Sequence, residues 1–526
     1  MLVHADEGAA LAQGLRQWLQ AREGGTVELV ETHLSRLLLT RDWAYKLKKP
    51  LQLPFADFRA VAARRHFCEE ELRLNRRLAP ALYVDVLPVL GGAQAPRLGA
   101  ADGADAGADA GAAIDWVLRM RRFPAGSELD ALVAAGALEP AQVDTFAARL
   151  AHFHAQAPVA PAGSDWGSAA QVAQAIDGVL ETLAPLLDAA EGARLAALRA
   201  WFGARQPALA AQWAARRAAG HVREGHGDLH LANVVRLDGV LTAFDCIEFS
   251  PQLRWIDTLA DAGFFSMDLQ AHGRPDLAWR FLDAYLAGTG DYAGLAVLRP
   301  YEVYRALVRA MAARLRAAQG LAPGTGHDYL ACAEALAAPL RPRLLITHGL
   351  SGSGKSTVAA ALLRQGAVRL RSDVERKRLH GLAPLADSAA LGLDIYTPQA
   401  SQRTFAQLAQ QARAALQAGY PVIVDAAFLR RRERDAFHAL ARDLGLPFTI
   451  LHCHAEEGAL RGRVQQRLAA GGDPSEADLA VLARQQQTAE PLAPEERAHT
   501  LDLATDRAWS APALYQRWLA AAGHGA

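Results

Sequence analysis

Apolar positions recur at helical spacing over residues 10–22, then switch to strand-like patterning from Val27 to Leu53, where two strands are expected around a turn at Thr40, Arg41 and Asp42. From Phe58 to Leu78 the pattern is helical again, with Phe67, Leu74 and Leu78 spaced for one buried face and Glu69, Glu70 and Glu71 in the middle. Strand patterns return at Leu82–Leu90 and Ala113–Met120. Between them Gly91–Gly111 is almost entirely Gly, Ala and Asp, which predicts a mobile hairpin tip. Residues 127–219 read as helical, Gly220–Phe249 as strands and turns, and 257–337 as helical once more. A small β-rich part thus precedes a larger helical part.

Gly320–Gly326, with Pro323, and Pro339–Arg343 carry the breaker residues of a domain boundary, which divides the chain into 1–338 and 339–526. Beyond it, the apolar run Leu344–Thr347 is followed by a Gly-rich loop, a helix over Thr357–Leu363, a strand at Ala367–Leu370, more helix, and the strand Pro421–Asp425. Strands alternating with helices predict an α/β domain on a parallel sheet.

Composition narrows the classes. A chain of 526 residues exceeds one core, and 51% hydrophobic against 21% charged residues is the balance of a globular protein. Basic and acidic residues number 56 each, so no overall field favours nucleic acid or anionic lipid. The four cysteines, Cys68, Cys246, Cys332 and Cys453, form no CxxC pair, which argues against a disulfide framework or a zinc ribbon. The sequence has no leader-like start and no long uncharged apolar run, and the expected location is the cytoplasm. Of the 56 basic residues only five are lysines: Lys46, Lys48, Lys49, Lys355 and Lys377. A chain that prefers Arg so strongly is expected to keep Lys where a compact ammonium is needed, as on phosphate.

Two of those lysines fall in phosphate-handling motifs. Gly349-Leu-Ser351-Gly352-Ser353-Gly354-Lys355-Ser356 satisfies G-x-x-x-x-G-K-[ST] between an apolar strand and a helix that begins with Thr357. Glycines let backbone N–H groups turn onto the phosphates, Lys355 reaches the β and γ phosphates, and the Ser356 hydroxyl holds Mg²⁺ at the helix N-terminus. Asp425 ends an apolar strand where such enzymes place the carboxylate that orients the magnesium. Asp373, just after the second strand with Arg371 and Lys377 beside it, is the candidate general base for an acceptor hydroxyl. Ser372 and Glu375 also have the spacing of a helix capping box, so the segment has a purely structural reading as well. Arg461, Arg463 and Arg467 lie on a helix in the position of a lid. Gly349–Thr357, Arg371–Arg378 and the strand ending at Asp425 resemble the P-loop kinases related to zeta toxins, chloramphenicol phosphotransferase and polynucleotide kinase, over about 340–510. The resemblance implies ATP-dependent phosphorylation of a hydroxyl, with Asp373 matching the acceptor-site aspartate.

In the first domain, His226-Gly-Asp228-Leu-His-Leu-Ala-Asn233 has the kinase spacing H-x-D-x-x-x-x-N, and Asp245 lies twelve residues beyond Asn233. Asp228 is expected to orient the acceptor hydroxyl, and Asn233 and Asp245 to hold magnesium on the ATP phosphates. Upstream, Tyr45-Lys46-Leu47-Lys48 occupies the place of V-A-I-K, so Lys48 is the first candidate to pair the phosphates, with Glu71 as its ion-pair partner. Lys46 is second, and Lys49 faces away. No G-x-G-x-x-G loop precedes them; Glu31-Thr32-His33-Leu34-Ser35 stands in its place. Through His226–Asn233, Asp245 and Ala151-His152-Phe153-His154, roughly 25–335 resembles the aminoglycoside phosphotransferase-like kinases. This implies a protein-kinase-like α+β domain with a small lobe at about 25–120 and a large lobe at 121–338. The order of the two domains resembles the bifunctional aminoglycoside phosphotransferase/ATP-binding protein family.

The sequence therefore predicts a bifunctional ATP- and Mg²⁺-dependent phosphotransferase acting on small hydroxylated acceptors. Two other readings remain: a regulatory protein pairing a pseudokinase sensor with a P-loop ATPase switch, and a nucleic-acid end kinase. From Pro342 onward, 22 basic residues face 18 acidic ones, an excess that gives little grip on a phosphate backbone.

Overall fold

The computed structural model describes residues 2–53, 56–100, 112–318, 326–388 and 390–521, with side chains from Gly8 onward except at Leu53. Residues 101–111 of the expected hairpin tip and 320–325 of the expected boundary lie outside the described residues. The chain forms two compact units. One comprises Met1–Phe146, Gln156–Val172 and Ala214–Phe265, the other Ala147–Ala155, Ala173–Trp213 and Ser266–Ala526. Helices after Ser266 thus group with the P-loop sheet, where the sequence placed the division at 338/339.

The first unit is built on six antiparallel strands, β1 (Glu28–Glu31), β2 (Ser35–Leu39), β3 (Trp43–Lys48), β4 (Tyr83–Gly92), β5 (Ala95–Leu98) and β6 (Asp115–Arg121), in the order β1-β2-β3-β6-β4-β5. The two strands expected before Leu53 are thus preceded by a further one, because a second turn at His33-Leu34 carries none of the Gly, Pro, Asn or Asp residues that mark turns. Strand alternation sorts the side chains. Leu38, Tyr45, Leu47 and Val117 pack against Leu11, Leu15 and Leu19, spaced four apart on α1 (Leu2–Glu23). Leu37, Ala44, Leu118 and Met120 face the other way, onto Cys68 and Leu72 of α2 (Val61–Asn75). Lys46 and Lys48 alternate with Tyr45 and Leu47, so both point to the α2 side. Farther on, the hairpin β7 (Val234–Leu237) and β8 (Val240–Ala243) turns at Asp238 and Gly239, both with positive φ, as a tight two-residue turn requires. It presents Asn233 and Phe244 at its open end and is followed by α3 (Thr258–Ala271).

In the second unit, α4 (Pro275–Thr289) ends at Gly290 in the left-handed conformation. Five parallel strands, β9 (Leu344–His348), β10 (Val368–Arg371), β11 (Val422–Asp425), β12 (Phe448–His454) and β13 (Thr500–Ala504), lie in the order β10-β11-β9-β12-β13. Every residue of β9 and β11 is buried, as crossover helices on both faces demand. On one face α5 (Lys355–Leu363) packs Val358 and Leu362 beside the fully buried Trp518, whose removal to Ala is of the kind that costs about 3–5 kcal/mol. The carboxyl ends of β9, β10 and β11 bring the P-loop, Arg371 and Asp425 to one edge, where α6 (Ser372–Leu379), α7 (Glu457–Ala470) and α8 (Leu479–Thr488) contribute part of the wall. Among the described residues no helix is long and apolar enough to cross a membrane.

Candidate active sites

In the first unit, β3 delivers two ammonium groups to one carboxylate. Lys46 Nζ lies 2.7 Å from Glu71 Oε1 and 2.7 Å from Asp245 Oδ1, while Lys48 Nζ lies 2.7 Å from Glu71 Oε2 and also bonds Glu248. Glu71 is fully buried. Burial would raise its carboxyl, but Lys46 and Lys48 outweigh that and hold it at about 2. The two lysines differ in access: the Lys48 side chain is 2% exposed and the Lys46 side chain 14%. Burial works against the charge on Lys46 as well, yet Asp245, Glu71 and Glu248 keep it well above the usual lysine range. Lys46, second in the sequence reading, is the lysine that touches Asp245; Lys48 reaches Glu71 as expected and points on to Glu248. Lys49 turns elsewhere, donating to Thr32 O at 2.7 Å and pairing with Glu31.

Asp245 is fixed from its backbone. It adopts φ +64, rare for a non-glycine, and its N–H donates to Tyr83 Oη at 3.1 Å. The next N–H, of Cys246, donates to Asn75 Oδ1 at 2.9 Å, which ties α2 to this loop, and Asn75 Nδ2 donates to the Glu71 carbonyl one turn back within the helix. The catalytic loop is held by Asp261 of α3, which accepts the N–H groups of His226 and Gly227 at 2.6 and 2.8 Å. A Cβ at Gly225 would meet Asp261 Oδ2 at 2.4 Å, so only glycine admits that approach. His226 Nε2 lies 2.8 Å from Phe244 O and the N–H of Asp228 points at its Nδ1 from 3.3 Å, which joins the catalytic loop to the residue before Asp245. Asn233 Nδ2 donates to Asp228 O at 2.9 Å and to its carboxylate at 3.2 Å, and Asn233 O accepts from Phe244 N. Asp228, Asn233 and Asp245 therefore share one loop cluster.

The β1–β2 turn is tight. Thr32 Oγ1 accepts the N–H of Ser35 and donates to its carbonyl, both at 3.0 Å, so that hydroxyl is engaged within the turn. Ser35, opposite Lys48 across the strands, keeps a buried hydroxyl with no hydrogen bond among the described residues.

In the second unit, the P-loop is a backbone construction. Gly349, Gly352 and Gly354 have φ of +145°, +81° and +82°, and a Cβ at Gly349 or Gly352 would stand 2.2 or 2.4 Å from the carbonyl oxygens of Cys453 and Leu460. Lys355 Nζ donates to Leu350 O at 2.7 Å; burial pulls its pKa below the usual lysine range. The N–H of Ser351 donates to Gln485 Oε1 of α8 at 2.8 Å, and Ser353 is buried beneath the loop rather than lining the cavity that holds Lys355. Ser356 Oγ and Asp425 Oδ1 are 3.1 Å apart, and Asp425 Oδ2, also buried, accepts no hydrogen bond among the described residues, with Arg371 and Arg369 nitrogens standing off at 3.7 and 3.9 Å. A hydroxyl, a carboxylate oxygen and a second oxygen free to coordinate make a donor set that suits magnesium.

Gly354, Lys355, Thr357 and Asp425 share a cavity of about 800 Å³ with Asp373. Burial raises the carboxyl of Asp373, against the pull of Arg376 and Arg371. The capping box does not form: Arg371 is the N-cap without a side-chain bond, Ser372 already lies inside α6, and buried Glu375 accepts from Gln411 and Arg378 instead. Arg463 donates to Gly352 O at 3.3 Å and to Thr505 Oγ1 at 2.8 Å, bracing the P-loop, while Arg467 lines the same cavity and Arg461 is exposed. His154 is buried against Tyr285 Oη at 2.8 Å. Sequence reasoning missed Asn75, Asp261 and Glu248. Asp261 had a signal, a lone acid inside the apolar run Leu259–Phe265; Asn75 and Glu248 had none.

Residues 344–492 match the family described as an AAA domain. An uncharacterized protein of Mycobacterium tuberculosis is 28% identical over 508 residues, spanning 94% of this chain and 96% of the relative. Among solved structures, a choline/ethanolamine kinase family protein from Mesorhizobium loti aligns with 62% of this chain and 92% of its own at 14% identity and a TM-score of 0.33. A gluconokinase from Sinorhizobium meliloti 1021 aligns with 35% and 92% at 22% identity and a TM-score of 0.25. The chain carries an α+β region on an antiparallel sheet followed by an α/β P-loop domain on a parallel sheet.

Proposed function

We propose that the protein is a cytoplasmic bifunctional phosphotransferase, each centre moving the γ-phosphoryl group of ATP to the hydroxyl of a small acceptor. The observation that carries the reading is the second cavity, in which a P-loop, the Ser356–Asp425 pair and a base candidate, Asp373, converge within about 800 Å³. Lys355 and the P-loop amides bind the phosphates, and Asp373 takes the acceptor's proton as the oxygen attacks. In the first centre Lys46 takes the place on the phosphates and Lys48 holds Glu71 from beneath; Asp228 orients the acceptor, and Asn233 with Asp245 faces the metal. Magnesium, when bound, neutralises charge across the β and γ phosphates at either centre. We keep 1–338 and 339–526 as the division of labour. Four free cysteines suit a reducing compartment.

One observation favours a second reading for the first centre alone. Its β1–β2 turn has no glycine and is clamped by Lys49, which limits how closely backbone can approach a phosphate and suits a nucleotide-free sensor. Titrating a non-hydrolysable ATP analogue decides between them. Two equivalents should bind, with Lys355→Ala removing one; a single equivalent in the wild type leaves the first unit a sensor. Phosphorylated products from a metabolite pool, in place of ATP hydrolysis alone, complete the test.

A further inference from the structure

Arg369 stands on β10, two residues before Arg371, and makes a contact that no motif anticipates. Its Nε and Nη2 donate to the two carboxylate oxygens of Asp283 on α4, at 3.1 and 2.6 Å, a fork with both side chains mostly buried. The remaining nitrogen, Nη1, lies 3.4 Å from Ser356 O and 3.9 Å from Asp425 Oδ2. At the far end of the same segment, Arg378 donates to the carbonyls of Ala287 and Gly288, in the last turn of α4, at 2.5 and 3.3 Å. A Cβ at Gly290 would come within 2.9 Å of the Arg378 guanidinium, so the helix end is shaped to receive it. Helix α4 thus grips residues 369–378, which carry Arg371, Asp373 and Arg376, at both ends.

The charge arrangement gives the grip at Arg369 a purpose. Asp425 Oδ2 is the oxygen that accepts no hydrogen bond, and a guanidinium less than 4 Å from it, left without another partner, is drawn onto it and competes with a divalent cation. Asp283 supplies that other partner. We propose that Asp283 is a positioning residue of the P-loop centre, holding Arg369 off Asp425 so that Oδ2 stays open to the metal. The proposal rests on reading Gly349–Ser356 with Asp425 as a magnesium–nucleotide site.

The test uses the full chain and equilibrium binding of a non-hydrolysable ATP analogue, following the binding event that Lys355→Ala removes, as magnesium is titrated. Asp283→Asn should raise the magnesium concentration for half-maximal binding about tenfold. Arg369→Gln should lower it, and the double variant should return to within about twofold of wild type, since the Arg369 charge is then gone while Arg371, 3.7 Å from Oδ2 and paired with Asp473, is the same in every variant. A merely structural pair would show its loss and its rescue in denaturant melts and leave the magnesium requirement of the folded protein unmoved. An unchanged magnesium requirement in folded Asp283→Asn, or a double variant that stays high, overturns the proposal. If Asp283→Asn does not fold, Arg369→Gln decides: a requirement above wild type overturns the proposal, and one below it supports it. If Lys355→Ala removes no binding event, the P-loop reading itself fails and the role of Asp283 falls with it.

Discussion

If both bind ATP as proposed, the Lys46 centre and the Lys355 centre meet the same problem, a highly charged polyphosphate, with different materials. At Lys46 the grip is made of side chains: two buried ammonium groups, Glu71 between them, and Glu248 and Asp245 at the ends. At Lys355 it is made of backbone, with three positive-φ glycines and a helix N-terminus doing what charge pairs do in the other centre. Side-chain pairs buried this deeply are balanced against one another, so removing one member leaves an uncompensated charge. A backbone nest is insensitive to most side-chain changes and intolerant of any Cβ at its glycines. The two centres should therefore fail differently under mutation.

Lys48→Met probes the difference most strongly. The methionine fills the space but leaves Glu71 and Glu248 facing each other with one ammonium fewer, and the first unit should lose about 3–5 kcal/mol. Burial already raises Glu248 and the neighbouring Glu71 pushes the same way, so the pair has no easy way to stay charged. Lys46→Met, at the more exposed lysine, should leave Glu71 paired to Lys48 and cost nucleotide binding more than stability. Denaturant melts and analogue titrations of the two variants separate the roles. If Lys48→Met melts like wild type while Lys46→Met unfolds, the assignment of the two lysines is reversed.

Next in size is Asp373→Asn in the backbone-built centre. The P-loop holds the phosphates without this residue, so analogue affinity should be unchanged while transfer drops by about 10²-fold, the contribution of a positioned base. The carboxyl must be deprotonated to act, and burial raises it, so activity should fall as pH drops through a value above the ordinary aspartate range. That acid limb should vanish in Asp373→Asn. Retention of the same limb by the variant would assign it to another group.

The two centres also differed in how legible they were. The P-loop could be read from eight consecutive residues because its function lies in the local chain: glycines where the backbone turns, then Lys355 and Ser356 at a helix start. The Lys46 centre is assembled from β3, α2, the β8 exit and α3, so its motifs fixed the catalytic loop while leaving the lysines ambiguous. Lys46 and Lys48 share a strand face, and only the three-dimensional position of Asp245 distinguishes them. Asn75 and Glu248 act through contacts more than 150 residues apart in sequence, which no spacing rule reaches. Asp283 is the same case, a helix residue whose partner belongs to a different sheet motif. The strand alternation that put the lysines on the α2 face, by contrast, followed from period two alone.

The smallest effect concerns the start of α6, where a capping box was a plausible reading of Ser372 and Glu375. If the P-loop centre draws its order from backbone and packing, the Ser372 hydroxyl has no structural duty: it lies past the N-cap, with no cap hydrogen bond. Nearby, Thr397 is a true N-cap, its hydroxyl accepting from Ala400 N at 3.1 Å. The pair makes an internal control within one unit. Thr397→Ala should lower stability by about 1 kcal/mol, the usual loss for a side-chain cap. Ser372→Ala should cost less than about 0.5 kcal/mol, the range of substitutions that touch none of the main stabilising features. Equal losses in parallel denaturant melts would mean that Ser372 caps the helix after all, and that Asp373 is aimed by a side-chain device of the kind the Lys46 centre uses.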